Sequence, residues 1–390
     1  MALFPQRREI VIVGAGYAGL HAAAVLSHRL PADSSVRVTL LSEEPFFTDR
    51  CRLHERCVRE RPVRYALAPL FNGSVVELAV GRAETVDFQH HTILVETPSH
   101  EYEIPFDDLL WTAGAVPSDY GIPGVREHSH FLSNFHDAEK MRHALKALPP
   151  GGRVAIVGGG LTGVELAAEI AEASRERELE KLTLTLLEAA PRILPLGDER
   201  ESSYSAKALE HLGVQVRAGA NVLEVRKDEV VLASSKSVFF DLLVWCAGVR
   251  ARLPGGLPGI RFGTTGRLEA EEDLSVPGVP GLFAGGDSAA FTPPSADKPL
   301  LPKAMWATDV GTYAGEILAA RALGLPPPPV PSFNDRGELV SLGRHDACGI
   351  MRTGLNAFVS GFPAALMKEA ALTYHLWAIT GRTGIPPMAE

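Results

Sequence analysis

Two short glycine clusters carry the spacing that points most directly to chemistry. Gly14-Ala-Gly-Tyr-Ala-Gly19 and Gly158-Gly-Gly-Leu-Thr-Gly163 place their glycines alike, with Gly16 and Gly160 in the middle. Where such a cluster joins a strand to a helix, its first glycine makes the tight turn. The second lets a pyrophosphate approach the backbone, and the third lets helix and strand pack closely. Tyr17, Ala18, Leu161 and Thr162 then fall in the first helical turn, where free N–H groups and the positive dipole end face the phosphates. Cys51 and Cys57 are the other reactive pair. Six positions apart on a helix, their side chains point away from each other, and the pair reads as two ordinary thiols. His54, between them, has a ring suited to proton delivery, although a lone histidine on such a helix is more often a hydrogen-bonding structural residue.

The elements around the clusters are those the chemistry requires. Glu9-Ile-Val-Ile-Val13 reads as a buried strand, Leu20 to Leu30 as a helix and Val36 to Leu41 as the next strand. The second copy runs from Arg153-Val-Ala-Ile-Val157 through a helix from Val164 to about Glu180 and a strand from Leu182 to Leu187. Each copy is a βαβ unit. Val75 to Val95 and Val214 to Leu232 read as short alternating strands, and each precedes an apolar strand ending in Ala-Gly, at Ala113-Gly114 and Ala247-Gly248. The chain is expected to cross between units after these two ends. Pro326-Pro-Pro-Pro-Val-Pro331 reads as a stiff linker.

Composition narrows the function classes. The 390 residues suit two or three domains, and 46% hydrophobic with 22% charged residues is ordinary for a globular chain. A net charge of -9 argues against a nucleic-acid partner. Four scattered cysteines suit neither a disulfide framework nor a zinc site, so no metal is expected. No apolar leader precedes the first strand, and no run is long enough to span a bilayer. The expected location is cytoplasmic, with peripheral contact on the inner face of the membrane as the alternative.

Three motifs together resemble the two-dinucleotide-binding-domain flavoproteins of the pyridine nucleotide-disulfide oxidoreductase superfamily. They are Val13-Gly-Ala-Gly-Tyr-Ala-Gly19, Val157-Gly-Gly-Gly-Leu-Thr-Gly-Val-Glu165 and Phe283-Ala-Gly-Gly-Asp-Ser-Ala289. Within that superfamily the chain is most similar to the type II NADH dehydrogenase and apoptosis-inducing-factor-like group. The resemblance implies an α/β fold with two Rossmann-like domains and a small C-terminal α/β part. Residues 1–114 and 249–325 would bind FAD non-covalently, 115–248 would bind NADH, and 326–390 would form the linker and C-terminal part.

The resemblance also implies residue roles. Gly286 and Asp287 would meet the flavin ribityl chain, with a helix from Ser288 aimed at the pyrophosphate; the alternative is a turn or helix cap. Glu165 would lie near the nicotinamide and flavin, the alternative being an exposed first-turn Glu complementing the helix dipole. Glu188 would accept the ribose hydroxyls and repel a 2′-phosphate, favouring NADH, while Arg192 keeps NADPH open. Thr48, Asp49 and Arg50 would border the ring, and Lys303, beside Ala304, would face the flavin pyrimidine edge or else be a surface lysine. Trp245 and Trp306 either flank the acceptor pocket or, for Trp245, lie in the core.

Three departures from the group stand out. At the end of the first unit's second strand the expected acid is Ser42, so either Glu43 reaches the ribose or Ser42 binds it more weakly. The Gln-bearing stretch of quinone-reducing members is replaced by Pro302-Lys-Ala-Met-Trp-Ala-Thr-Asp309. The C-terminal region is a single helical run, Pro363 to Thr380, whose few basic residues favour burial in the protein or a homodimer contact over a membrane surface. Three functions follow. The first is an NADH-dependent flavin oxidoreductase with a small-molecule acceptor, quinone by default. The others are a soluble FAD enzyme acting on an organic metabolite and a non-catalytic flavin or NAD sensor.

Overall fold

The computed structural model describes residues 7–257, 260, 262–263, 266–352, 354 and 356–380, so the N-terminal residues read for a leader and the tail beyond Thr380 lie outside the described residues. Each glycine cluster sits where a buried parallel strand meets a helix. In the first unit Arg8–Val13 pairs with Val36–Ser42, and the helix Tyr17–Arg29 connects them. Asp108–Trp111 and Leu282–Ala284 extend the sheet on one side and Val76–Val80 on the other, giving five parallel strands. The second unit has four parallel strands, Gln215–Arg217, Thr183–Leu187, Arg153–Val157 and Leu242–Trp245, with the helix Leu161–Arg175 following its cluster. Strands covered on both faces are apolar throughout, which is why these segments read as continuous runs.

Each unit carries a three-stranded antiparallel meander before its Ala-Gly strand, Arg82–Asp87 to Glu101–Pro105 in the first and Val222–Val225 to Ser237–Phe239 in the second. Val76–Val80, expected among the alternating strands, instead completes the parallel sheet. Just past the Ala-Gly ends, Ala115–Pro117 and Val249–Ala251 pair antiparallel, so the two crossings between units form one ribbon.

The helix expected from Ser288 does not form. Gly286–Ser288 is a single 3₁₀ turn, and Ala289–Phe291 is a strand parallel to Leu268–Ala270. The buried Arg267 guanidinium donates to the Ala289 and Leu300 carbonyls, and Pro293 and Pro294 then bar a helix. The next long helix is Ala304–Ala322, packed on Tyr17–Arg29 through small residues. A Cβ on Gly311 would run into the Ala18 carbonyl, and one on Gly315 would meet Val25 and Ala22.

Two features bring the units together. Leu53, Cys57, Val58 and Val63, an excursion from the first unit, are buried in the second unit's core with Leu166, Ile170 and Leu209. Arg59, on the same excursion, forms ion pairs with Glu169, Glu172, Glu176 and Glu178 at the second unit's helix. The C-terminal part is an antiparallel sheet, Gly337–Ser341, Ala347–Met351 and Ala357–Ser360, followed by the helix Phe362–Thr380.

That helix is not buried within the protein, one of the two places expected for it from its apolar composition, the other being a homodimer contact. Phe362, Leu366, Tyr374 and Trp377 are exposed, whereas Lys368 and His375 turn toward the protein and the half-exposed Glu369 pairs with the buried Arg52. The reason lies in the partners. Glu165 and Arg52 are nearly buried charges that require opposite charges, and this helix supplies them.

Candidate active site

The two glycine turns are built alike. Gly14 and Gly158 have φ of +99° and +109°, a region that favours glycine, and a Cβ on either would strike the backbone of the Ala-Gly strand, at Thr112 and at Cys246. A Cβ on Gly19 or Gly163 would strike the carbonyl of the unit's first glycine, which fixes helix against strand. Gly16 and Gly160 face open space, with nothing within 4 Å of a Cβ. Each is the N-cap of its helix, no side chain caps either helix, and no acid stands in either first turn. Both turns therefore present uncapped N–H groups beside room for a phosphate, and the residues fit a pyrophosphate at each.

Around the first turn the structure gathers Arg50, Ala113, Gly114, Gly286 and Asp287. Ser288, fully buried, accepts a hydrogen bond from the Gly114 N–H (2.9 Å) and donates to the Gly114 carbonyl (3.1 Å), tying the Gly-Asp turn to the Ala-Gly end. Thr112 donates to the Val13 carbonyl (2.8 Å). The Asp287 carboxyl is pushed up by burial, against the pull of the Arg50 and Arg267 cations. Gly286 lies against Ala18, closing the turn onto the helix. Thr48 ends the strand Phe46–Thr48, and Ser42 is buried at the end of its own strand, while the Glu43 carboxylate is ion-paired with Arg252. Tyr17 turns its side chain away from the phosphate cradle. Its hydroxyl donates to the buried Asp49 (2.6 Å), and its ring meets Phe47 and His375.

At the second turn Glu188 accepts from the Gly159 N–H (2.6 Å) and the Ala190 N–H (2.7 Å), so it already organises the glycine loop at the strand end. Arg192 does not present a free guanidinium to a 2′-phosphate. It donates to the carbonyls of Leu194 (2.8 Å), Pro195 (3.2 Å) and Gly197 (2.7 Å) and holds that loop. Ala247 and Gly248 end the neighbouring strand. Trp245 there is core, its indole N–H donating to the Ser118 carbonyl (2.8 Å).

Between the units stands a buried charged set. Glu165 is not an exposed first-turn acid but is buried on the second-turn helix, in a hydrogen-bonded ion pair with Lys368. Its other oxygen lies 3.5 Å from His54 Nδ1, and it accepts from the Ser341 N–H (3.1 Å). Burial opposes the charge, yet the Lys368 and His54 neighbours hold the Glu165 carboxyl below the usual range. Burial lowers the pKa of His54, and its Nε2 has no hydrogen-bond partner among the described residues. Lys303, the N-cap of the helix that begins at Ala304, is ion-paired with Glu338 (2.6 Å). All four cysteines are free thiols, and burial pushes Cys51 up to about 12 and Cys57 well above its ordinary value.

The sequence reading missed Lys368 as a site residue, along with Thr112 and Ser288. Thr112 and Ser288 abut recognised motifs, and that adjacency was the available signal.

Two nucleotide-type turns in one chain, with a buried acid on the helix of the second, fit a flavin-dependent NAD(P)H oxidoreductase. The chain belongs to the pyridine nucleotide-disulphide oxidoreductase family, whose profile matches residues 8–307. It is 26% identical over 400 aligned positions to a type II NADH:quinone oxidoreductase of Staphylococcus saprophyticus, covering 96% of each chain. A protein of the same description from Staphylococcus epidermidis is 27% identical with the same coverage. Among solved structures, NDH2 of Plasmodium falciparum in complex with NADH is similar with a TM-score of 0.81 at 18% identity, over 98% of this chain and 100% of that one. The sulfide:quinone oxidoreductase of Aquifex aeolicus has a TM-score of 0.80 at 17% identity, over 96% and 92%. These two show the shared fold.

Proposed function

We propose that the protein oxidises NADH through a non-covalently held FAD and delivers the electrons to a quinone. The observation that carries this reading is the repeated open cradle at Gly16 and Gly160, each backed by an acid, Asp287 in one unit and Glu188 in the other. In this reading residues 1–114 and 249–325 form the FAD domain, 115–248 the NADH domain and 326–390 the linker and C-terminal part. FAD supplies the hydride-accepting ring and the one- or two-electron outlet.

The protein's residues position and neutralise. Gly14, Gly16, Ala18 and Gly19, with the backbone of Tyr17, cradle the first pyrophosphate, and Asp287 accepts a ribityl hydroxyl. Ser42 and Glu43 border the adenosine ribose, and Thr48, Arg50, Ala113, Gly114, Gly286 and Ala304 border the rest of the group. Gly158, Gly160, Leu161, Thr162 and Gly163 cradle the second pyrophosphate, Glu188 accepts the ribose hydroxyls, and Ala247 and Gly248 meet the nicotinamide half. The engagement of Arg192 with three carbonyls supports NADH over NADPH. Glu165 orients the reacting groups and relays protons with Lys368, and Lys303 supplies positive charge near the ring.

The outward apolar face of Phe362–Thr380 supports peripheral contact with the membrane where quinones reside. Among the described residues no helix is long and apolar enough to cross a membrane.

The test is an anaerobic titration. NADH should bleach a bound yellow flavin, a water-soluble quinone should restore it, and acid should release the flavin to the supernatant. A colourless protein that cannot be reconstituted, or a reduced flavin that no quinone reoxidises, overturns the reading.

A further inference from the structure

The second unit carries a cleft at the pole opposite its glycine turn. Three helices end there, Phe135–Lys146, Leu161–Arg175 and Glu199–His211, and the strand Thr183–Leu187 begins there, around a volume of about 860 Å³. That is the size of a small-molecule site. Its floor is aliphatic, with Leu179 and Leu184 buried and Leu182 and Leu212 half-buried. Its rim is cationic, formed by Lys146, Arg175, Arg177 and Lys181. The loop that shapes it is fixed. The Leu179 N–H donates to the Ala173 carbonyl (3.2 Å), Ser174 Oγ donates to the Glu180 carbonyl (2.9 Å) and accepts from the Leu182 N–H (2.9 Å), and the Gly151 N–H donates to the Lys181 carbonyl (2.6 Å).

The rim charges are not neutralised by the protein. Among the described residues none of these four cations makes an ion pair or a hydrogen bond from its side chain. Of the acids beside them, Glu178 is taken by Arg59 and Arg344, which leaves Glu180 against the four cations. The chain has 47 acidic and 38 basic residues, and elsewhere Arg59 draws in Glu169, Glu172, Glu176 and Glu178, so a positive surplus here runs against the whole. Lys146 and Arg175 stand in the last turns of their helices and offset the carbonyl ends. Arg177 and Lys181 lie past the helix ends, where that role does not reach.

We infer that this cleft binds an amphiphilic anion, with a phosphate or carboxylate head on the cationic rim and one aliphatic chain along the leucine floor. The planar arginine fork matches the paired oxygens of either head, and a cleft lined by one sign of charge focuses its field on the anion. The aliphatic chain matches a floor with no free polar side chain to read a base or a sugar, since Ser174 is engaged as both donor and acceptor. Glu165 lies near the start of Leu161–Arg175 and the cleft at its end, so the occupant touches none of the residues proposed for electron transfer.

The experiment uses octyl phosphate below its micelle concentration, with octyl glucoside and inorganic phosphate as the chain-only and head-only probes. Binding is followed by calorimetry and placed by hydrogen exchange on the full chain. Octyl phosphate should slow exchange at Leu179 and Leu182 and bind at least about tenfold more tightly than either other probe. Arg177→Glu with Lys181→Glu, both exposed positions, should weaken it by at least about tenfold while NADH oxidation stays within about twofold, and Arg177→Gln with Lys181→Gln should fall between. Binding that survives charge reversal, inorganic phosphate that binds as tightly as octyl phosphate, or protection confined to Phe362–Thr380 overturns the site. So does attachment to anionic liposomes without binding of the monomeric probe, which would make the rim a bilayer contact.

Discussion

In the proposed reading the cofactor preference rests at the residue scale on Glu188, because Arg192 is committed to the loop carbonyls. Glu188→Gln is expected to narrow the NADH-to-NADPH ratio of kcat/KM by on the order of 1 kcal/mol, or about tenfold at most. A wild type that prefers NADPH sinks the assignment. The cysteines give the opposite expectation. Cys51, half-buried, and Cys57, buried, are free and strongly disfavoured as thiolates, so Cys51→Ser and Cys57→Ser should leave NADH-driven turnover within about threefold, under about 1 kcal/mol of barrier. Turnover abolished by either change would reveal a redox dithiol. Glu165 is the residue whose surroundings were hardest to read. Lys368 stands 203 positions away on a different part of the chain, and no local pattern connects them.

Among the elements, the apposed helices Tyr17–Arg29 and Ala304–Ala322 depend on the absence of side chains at Gly311 and Gly315. Gly311→Ala is expected to destabilise the protein by about 1–3 kcal/mol in denaturant unfolding. An unchanged midpoint would show that the helices can separate freely. The terminal helix has a pH dependence of definite sign. His21 and His375 stack with ring centroids 5.3 Å apart, and both are lowered to about 4, mainly by burial, from an ordinary 6.5. The undocked form therefore takes up protons first, and docking weakens as pH falls from 6.5 towards 4. Trp377 fluorescence and hydrogen exchange across Phe362–Thr380 at pH 5 and 7 check this, and His21→Phe should flatten the difference. The paired βαβ pattern was legible because period and glycine spacing are local. The course after Asp287 was legible only in part: Pro293 and Pro294 are local signals against a helix, but the buried Arg267 guanidinium that holds the Ala289 and Leu300 carbonyls acts from outside the segment. The direction of the terminal helix was also hidden. Composition shows how apolar a helix is, but which face turns inward is set by the charges waiting in Glu165 and Arg52.

For the whole molecule, an apolar face turned outward predicts association with lipid. Full-length protein should sediment with liposomes, and Leu366→Ser with Trp377→Ser should release it to the supernatant while NADH still bleaches the flavin. Equal sedimentation of the two proteins would assign that face to something other than a bilayer. The ribbon of Ala115–Pro117 with Val249–Ala251 has a consequence for synthesis. As the chain leaves the ribosome, the strands of the second unit all lie between the two crossings, and its sheet can close as soon as Leu242–Trp245 emerges. The first unit, begun earlier, must wait with an unfinished sheet until Leu282–Ala284 arrives, and with a bare helix face until Ala304–Ala322 does. The half that starts first is thus completed last. A stalled or truncated chain ending before Leu282 would leave the Asp108–Trp111 strand as a naked edge, a ready target for chaperones and for misassembly with its neighbours on the same message.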